Sequence, residues 1–237
     1  MKKARNLLAT MIIAFFLFSV QVFAMTPDRS LNNPLFLSEM GNVKLIYGAY
    51  DATNEKFLVS YAEYDEYAKG HGAFILQANR EDDAKVFSFI GTKELGNIGL
   101  GLAVHRVTSP SSEWLLDLGV SYGRRVVGRI GIHDVPIASW DEIKERSNFS
   151  IGGTVYLTES LAVGVDARLL DQQYDGLLRL VLSQDLTATL NLMYKDLQWE
   201  SVGANVWLNR NNLVIHLGYI LEHNWESSFR FGLGFRF

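Results

Sequence analysis

The chain has 237 residues, no cysteine, and 22 Lys and Arg against 26 Asp and Glu, which gives a formal net charge of −4. This acidic balance argues against nucleic acid as a partner, because nucleic-acid-binding domains carry basic patches. The absence of cysteine excludes a disulfide framework, so the fold must be held by a core or by a continuous hydrogen-bond ladder.

The first 24 residues have the organisation of a secretory signal peptide. Three positive charges fall within the first five positions, an apolar run follows over residues 7–20, and a small-residue motif ends at Ala24. The apolar run is shorter than the ~20 residues that a membrane-spanning helix needs. We therefore predict export of the chain, with cleavage after Ala24.

Residues 25–42 form a segment ahead of the first predicted strand. They contain the run LNNPLFL at residues 31–37, with Asn33 and Pro34 at its centre. This run resembles the Asn-Pro-Ala element that precedes the first strand of FadL-type fatty-acid transporters and related 14-strand barrels, although Leu35 replaces the usual alanine. The resemblance implies a periplasmic plug inside a barrel. A plain turn is the alternative, because Pro34 forces an extended residue before it.

Residues 43–237 alternate between apolar and polar side chains over segments of about 9–11 residues, the length of a transmembrane β-strand. We predict fourteen strands, an even number that puts both chain ends on the periplasmic side. A barrel of 12 strands is the alternative, since residues 65–72 are long for a periplasmic turn. The predicted strands cover residues 43–51, 55–64, 72–80, 85–92, 97–107, 113–123, 125–133, 148–158, 160–170, 175–184, 185–195, 197–208, 211–222 and 226–237.

The charge on the two strand faces separates a membrane barrel from a soluble β-domain. Leu161, Val163 and Val165 share one face of a strand, whereas Asp166 and Arg168 share the other. A long uncharged face opposite a face of Gly, Ser, Thr and charge is typical of lipid outside and a polar lumen inside. The pattern predicts an all-β, transmembrane, antiparallel up-and-down barrel. Its aromatic girdles are expected at Trp114, Phe149, Tyr174, Tyr194 and Trp225, and at Tyr122 and Phe237 on the opposite rim.

The last predicted strand carries a second resemblance. Its apolar face consists of Phe229, Phe231, Leu233, Phe235 and the terminal Phe237. This alternation resembles the C-terminal signature of bacterial outer-membrane β-barrel proteins. The resemblance implies location in the outer membrane, with lipid and the barrel-assembly machinery as partners.

Inward charge is the most informative feature for function. Arginine outnumbers acid on the predicted lumen face, which holds Lys44, Asp117, Arg125, Arg129, Asp166, Arg168, Arg179, Arg230 and Arg236. One interpretation is internal ion pairing, with Arg168 and Arg179 in reach of Asp166. The other is a cationic constriction that selects anionic or amphiphilic solutes. We expect Arg129 and His133 to contact solute, because few acidic partners are evident for them.

Catalysis and metal binding are not predicted. His105, His133 and His223 fall near outer strand ends with serines nearby, but they form no recognisable catalytic motif. Ligand spacing for a metal is also missing from the sequence. We therefore expect neither catalytic residues, nor a metal, nor a cofactor.

Two functions are consistent with these features. The first is a narrow channel or transporter for small anionic or amphiphilic solutes, gated by residues 25–42. The alternative is a structural or interaction barrel in an envelope or exopolysaccharide-export assembly. In that case the connection over residues 134–148, with apolar residues 135–137 and Trp140, is the expected contact surface.

Overall fold

The computed structural model describes residues 44–52, 55–79, 84–108, 112–137 and 146–237. Within these ranges the chain forms fourteen β-strands, the number that the alternation predicts. They are β1 (Leu45–Asp51), β2 (Lys56–Asp65), β3 (Gly70–Asn79), β4 (Lys85–Leu95), β5 (Ile98–Val107), β6 (Glu113–Gly123), β7 (Val126–Pro136), β8 (Asn148–Tyr156), β9 (Leu161–Arg168), β10 (Gln173–Val181), β11 (Leu186–Lys195), β12 (Gln198–Arg210), β13 (Leu213–Glu222) and β14 (Ser227–Arg236).

The strands form one closed antiparallel barrel in which each strand pairs with its neighbours in sequence. Closure is made by β1 and β14, whose register runs from Leu45 opposite Arg236 to Asp51 opposite Arg230. A closed barrel leaves no unpaired strand edge, so every strand has hydrogen-bonding partners on both sides without any disulfide. The predicted fold class is confirmed, and the 12-strand alternative is wrong.

Side chains alternate between the two faces of the wall as predicted. On β14, Phe229, Phe231 and Phe235 are 48–63 % exposed on the outer face, whereas Gly232 and Gly234 are buried on the inner face. The predicted girdle residues Trp114, Phe149, Tyr174, Trp225, Tyr122 and Phe237 are also exposed, and Tyr194 pairs with Tyr174 at a ring-centroid distance of 6.3 Å. The outer surface is therefore an apolar band with aromatic rims.

The connections between strands are short, with one exception. The longest separates β7 from β8, where the sequence places the longest outer connection. The turn between β2 and β3 spans only residues 66–69, because β3 begins at Gly70 rather than at the predicted residue 72. In the part of the chain that the structure describes, no helix is long and apolar enough to cross a membrane.

The ends of β4, β7 and β10 each differ from the predicted bounds by three residues, and β7 reaches Pro136 instead of the predicted residue 133. The register between β6 and β7 shifts near Leu116, and pairing then resumes with Leu115 opposite Pro136. Asp134 has φ 57 at this irregularity. A bulge inserts an extra residue without ending the pairing, so a strand end predicted from strict alternation falls too early.

Candidate functional site

The inner wall of the barrel carries most of the polar side chains that the fold buries. Alternation along each strand sends every second residue inward, and several inward polar side chains are hydrogen-bonded to one another. Three networks of polar contacts result. They lie on β7–β9, on β11–β13 together with β1, and on β4–β8.

The first network joins Arg129 to Asp166. The Arg129 Nε and Nη2 donate to the two carboxylate oxygens at 3.1 and 3.0 Å, and Nη2 also donates to Thr154 Oγ1 at 2.8 Å. Gly152 lies between Arg129 and Asp166 in the register, and a Cβ there would collide with the Asp166 carboxylate. The expectation that Arg129 has few acidic partners is therefore wrong, because the intervening glycine lets it reach across a strand.

Inward strand positions are also held by four other predicted arginines, namely Arg168, Arg179, Arg230 and Arg236. The Arg179 guanidinium lies 5.3 Å from the ring centre of Tyr156. Arg168 stands opposite Ser150 in the register of β8 and β9.

On β14, Arg230 Nη2 lies 3.8 Å from Asp51 Oδ2, and Arg236 Nη2 donates to Asn209 Oδ1 at 2.9 Å. These two contacts cross the β1–β14 closure and the β12–β14 wall. The C-terminal strand thus contributes two positive charges to the lumen, as its parity predicts.

Two residues predicted to face the lumen do not. Lys44 precedes β1, shares the parity of the exposed Ile46, and pairs with Glu63 at 3.5 Å with both side chains substantially exposed. Arg125 lies in the turn before β7, where it is exposed and donates to the main-chain oxygens of residues 156 and 157. Lys44 thus follows the outward parity of β1, whereas Arg125 lies in a turn, where the alternation no longer determines direction.

The second network begins at Tyr47 on β1. Its hydroxyl is 2.6 Å from His216 Nδ1, and His216 Nε2 is 3.0 Å from Asn205 Oδ1. His216 also stacks on Trp207 with ring centroids 4.7 Å apart and an interplanar angle of 7°. Tyr47 reaches β13 across β14 over Gly232, where a Cβ would collide with the tyrosine ring.

The third network is a chain of five side chains across β4–β8. Ser88 Oγ is 2.8 Å from His105 Nδ1, and His105 Nε2 is 3.5 Å from Asp117 Oδ2. The same carboxylate oxygen is 3.0 Å from His133 Nδ1, whose Nε2 is 2.7 Å from Ser150 Oγ. His133 is 1 % exposed and Asp117 2 %. The expectation that His133 has few acidic partners is therefore wrong as well.

The inner wall is divided into two sectors. We call the inward arginines on β7–β14 the cationic sector, and the inward apolar residues on β1–β5 the apolar sector. Nine of the twelve residues in the described apolar cluster belong to the apolar sector, namely Leu45, Tyr47, Ala49, Leu58, Ala62, Ala73, Ile75, Ile90 and Ala103, and they are 0–8 % exposed. The cationic sector consists of Arg129, Arg168, Arg179, Arg230 and Arg236.

Sequence reasoning missed Tyr47, His216, Trp207 and Ser150. Their inward parity is visible in the sequence, but an inward aromatic or serine carries no signal of its own. The predicted plug residues Asn33 and Pro34 lie outside the described residues, as does the whole of residues 25–42. Among the residues that the structure does describe, no cluster of three or more His, Asp or Glu could hold a metal ion.

Known structures resemble this chain in fold. No family model matches it, and no curated protein matches it. The outer membrane protein Omp33 of Acinetobacter baumannii has a TM-score of 0.63 and 9 % identity, over 82 % of this chain and 97 % of that one. A mutant of the Rh. blastica porin has a TM-score of 0.52 and 8 % identity, over 83 % of this chain and 99 % of that one. The fold is that of outer-membrane porin-type barrels.

Proposed function

We propose that this chain is an outer-membrane channel for small anionic or amphiphilic solutes, exported with removal of residues 1–24. The apolar outer face supports the membrane location, because large exposed apolar surfaces are rare on soluble monomers. The fold shared with porins supports a channel rather than an enzyme. In this proposal Phe229, Phe231, Leu233, Phe235 and Phe237 are read by the assembly machinery from the outward face of the last strand.

The division of the inner wall into a cationic and an apolar sector carries the proposal. Five inward arginines lie on β7–β14 although the chain as a whole is acidic. A solute with a negative head and an apolar body would meet complementary surfaces on opposite sides of the same lumen. A simple water-filled pore has no need for that segregation.

Two buried donors on the strands of the cationic sector support a solute that carries hydrogen-bond acceptors. Thr187 Oγ1 and Trp207 Nε1 stand opposite each other on β11 and β12, and neither has a hydrogen-bond partner in the structure. Buried donors without acceptors are costly, so each needs an acceptor, which water, an ion or a bound group can supply. A carboxylate, phosphate or hydroxyl oxygen of a solute would satisfy them.

We further propose that residues 25–42 gate this channel. The segment leads directly into Leu45, the first residue of β1, whose side chain faces inward and is 2 % exposed. The apolar sector includes β1 itself, so Leu45 belongs to it. The apolar run at residues 35–37 has the chemistry to match that sector.

The channel function is tested by recording purified, folded protein in planar bilayers under a salt gradient. We expect single-channel conductance with a reversal potential that favours anions. Arg179→Gln should weaken the anion preference, because it removes a buried positive charge from the lumen. Arg210→Gln is the matched control. Arg210 is exposed at the end of β12, so this substitution removes the same charge from outside the lumen.

A folded barrel that neither conducts nor admits small solutes into liposomes would refute the channel. A conducting barrel with cation preference would refute only the solute class, because the pore would exist without the proposed role of the cationic sector.

A further inference from the structure

Ser150, His133 and Asp117 have the relative geometry of a serine nucleophile, its base and an orienting acid. Ser150 Oγ lies 2.7 Å from His133 Nε2, and His133 Nδ1 lies 3.0 Å from Asp117 Oδ2. An ionised carboxylate only accepts hydrogen bonds, so Nδ1 holds the proton and Nε2 accepts from the Ser150 hydroxyl. This is the tautomer in which an imidazole removes the proton of an attacking serine.

The acid of this set is oriented by the backbone of the next strand. The Asp134 N–H donates to Asp117 Oδ1 at 2.9 Å, which leaves Oδ2 for His133. Asp134 has φ 57, a left-handed value that is costly for a residue other than glycine, and it lies at the β6–β7 bulge.

The wall beside Ser150 carries a row of glycines on its inward face. Gly101 stands opposite Gly119, Gly119 opposite Gly131, and Gly131 opposite Ser150, so three inward glycines form a row that ends at the serine. A Cβ at Gly131 would lie 2.9 Å from Ser150 Oγ and 3.0 Å from His133 Nε2. The absence of a side chain at Gly131 therefore makes space for the Ser150–His133 contact.

A positive charge stands on the other side of Ser150. Arg168 is its direct partner across β8 and β9, and both side chains are on the inward face. Directly opposed residues have Cβ atoms about 4.5–5.5 Å apart, well within the reach of an arginine. A guanidinium in that position can donate to an oxygen that becomes negative in a transition state.

We propose that Ser150 is a nucleophile that hydrolyses carboxylic esters of small amphiphiles in the barrel lumen, an activity that goes beyond the proposed channel. Ser150 Oγ forms a bond to the ester carbonyl carbon, and its proton passes to His133 Nε2. The carbonyl electrons move to the oxygen, which Arg168 stabilises. The bond to the leaving alkoxide then breaks, and His133 gives that alkoxide the proton.

Water completes the cycle. His133 takes a proton from a water molecule that attacks the acyl-Ser150 carbonyl, and returns it to Ser150 Oγ as the carboxylic acid leaves. Ser150, His133 and Arg168 are the catalytic residues in this scheme, because they touch reacting atoms. Asp117 is a positioning residue that fixes the His133 tautomer and stabilises its charged form.

The other end of the β4–β8 network supplies an internal control. Ser88 and His105 lie on the opposite side of Asp117, but the geometry is reversed and looser. His105 turns Nδ1 to Ser88, and its Nε2 stands 3.5 Å from the carboxylate without a hydrogen bond. A contact of that length does not orient an imidazole as a base, so Ser88 lies outside the catalytic set.

The full chain, purified as a folded barrel, should react with a fluorophosphonate probe, which labels activated serines, and mass spectrometry should find the label on Ser150. It should also hydrolyse p-nitrophenyl butyrate.

Ser150→Ala should abolish the label and lower turnover by at least about 10³-fold, because the nucleophile is lost. His133→Gln should lower both while keeping the serine. Ser88→Ala should keep the labelling of Ser150 and the turnover of the ester. The heat-dependent shift in gel mobility should show that each variant is folded.

Absence of label at Ser150 in the folded wild-type barrel would overturn the proposal. Hydrolysis that survives in folded Ser150→Ala would overturn it too, since the activity would then come from elsewhere. A result in which Ser150→Ala and Ser88→Ala lose only stability, by similar amounts, would assign the chain of five side chains to structural support alone.

Discussion

At the scale of single residues, the buried Arg129–Asp166 pair is the contact whose loss should matter most. Arg129 is 4 % exposed and bonds both carboxylate oxygens of Asp166. Asp166→Ala leaves a buried guanidinium without its anion, and losing one partner of a buried pair costs about 3–5 kcal/mol. We expect the free energy of unfolding to fall by that amount, measured by urea titration of tryptophan fluorescence in lipid vesicles.

The double variant Arg129→Met with Asp166→Leu provides the control for this prediction. It removes both charges and keeps apolar bulk, a change that is often neutral or stabilising. The stability of the double variant should therefore exceed that of Asp166→Ala. Equal stability of Asp166→Ala and the wild type would contradict the interpretation of the pair as a buried, tightly coupled contact.

The sequence was enough to predict that most of these charged residues lie on the inward face of their strands. It was not enough to predict their partners. Asp166 is 37 residues from Arg129, and the two meet only because the register places Gly152 between them. Neither the register nor the reach of a side chain over a glycine is visible in local alternation. The same limit explains the wrong expectation for His133, whose acid is supplied by the strand before it.

At the scale of elements, inward glycines act as gaps that let a side chain cross a whole strand. Gly232 on β14 carries the Tyr47–His216 contact in this way. Gly232→Val should fill the gap, displace the tyrosine and destabilise the barrel by about 1–3 kcal/mol, the usual range for an overpacked site. The measurement is the unfolding midpoint of the variant in vesicles.

Gly91→Val is the matched control for this substitution. Gly91 faces outward on β4, and a Cβ there meets nothing within 4 Å. The added side chain would enter lipid, so the unfolding midpoint should stay the same or rise. If both valine variants behaved alike, the effect at Gly232 would come from strand propensity rather than from the space that Tyr47 occupies.

Strand number and facing could be predicted because a period of two is strongly constrained when one face meets lipid. Strand ends could not be predicted as well, since they depend on turns and bulges rather than on alternation. The end of β7 shows this, because Asp134 adopts a left-handed conformation and lets pairing continue to Pro136. The arrangement of Asp117, His133 and Ser150 depends on the same bulge, which is why it has no signature in the sequence.

At the scale of the whole molecule, the closed barrel and the two sectors of its inner wall together define the function that we propose. The closed ladder allows a wall without a conventional core, and the short turns leave the lumen as the main place for specific chemistry. Within that lumen, the inward arginines lie on β7–β14, whereas most of the buried apolar cluster lies on β1–β5. A separate element must therefore control access if the channel is not to stay open.

Residues 25–42 are that element in our proposal, and their removal gives the test. Deleting them should raise conductance in planar bilayers and speed the entry of amphiphilic dyes into liposomes, because the apolar sector would lose its proposed cover. Replacing them with a Gly-Ser linker of equal length should have the same effect, whereas removing only residues 26–30 should not. A folded deletion variant with unchanged conductance and lower stability would instead assign the segment a structural role. The barrel would then have to be gated from within the described wall, where the cationic sector holds its only inward cluster of arginines.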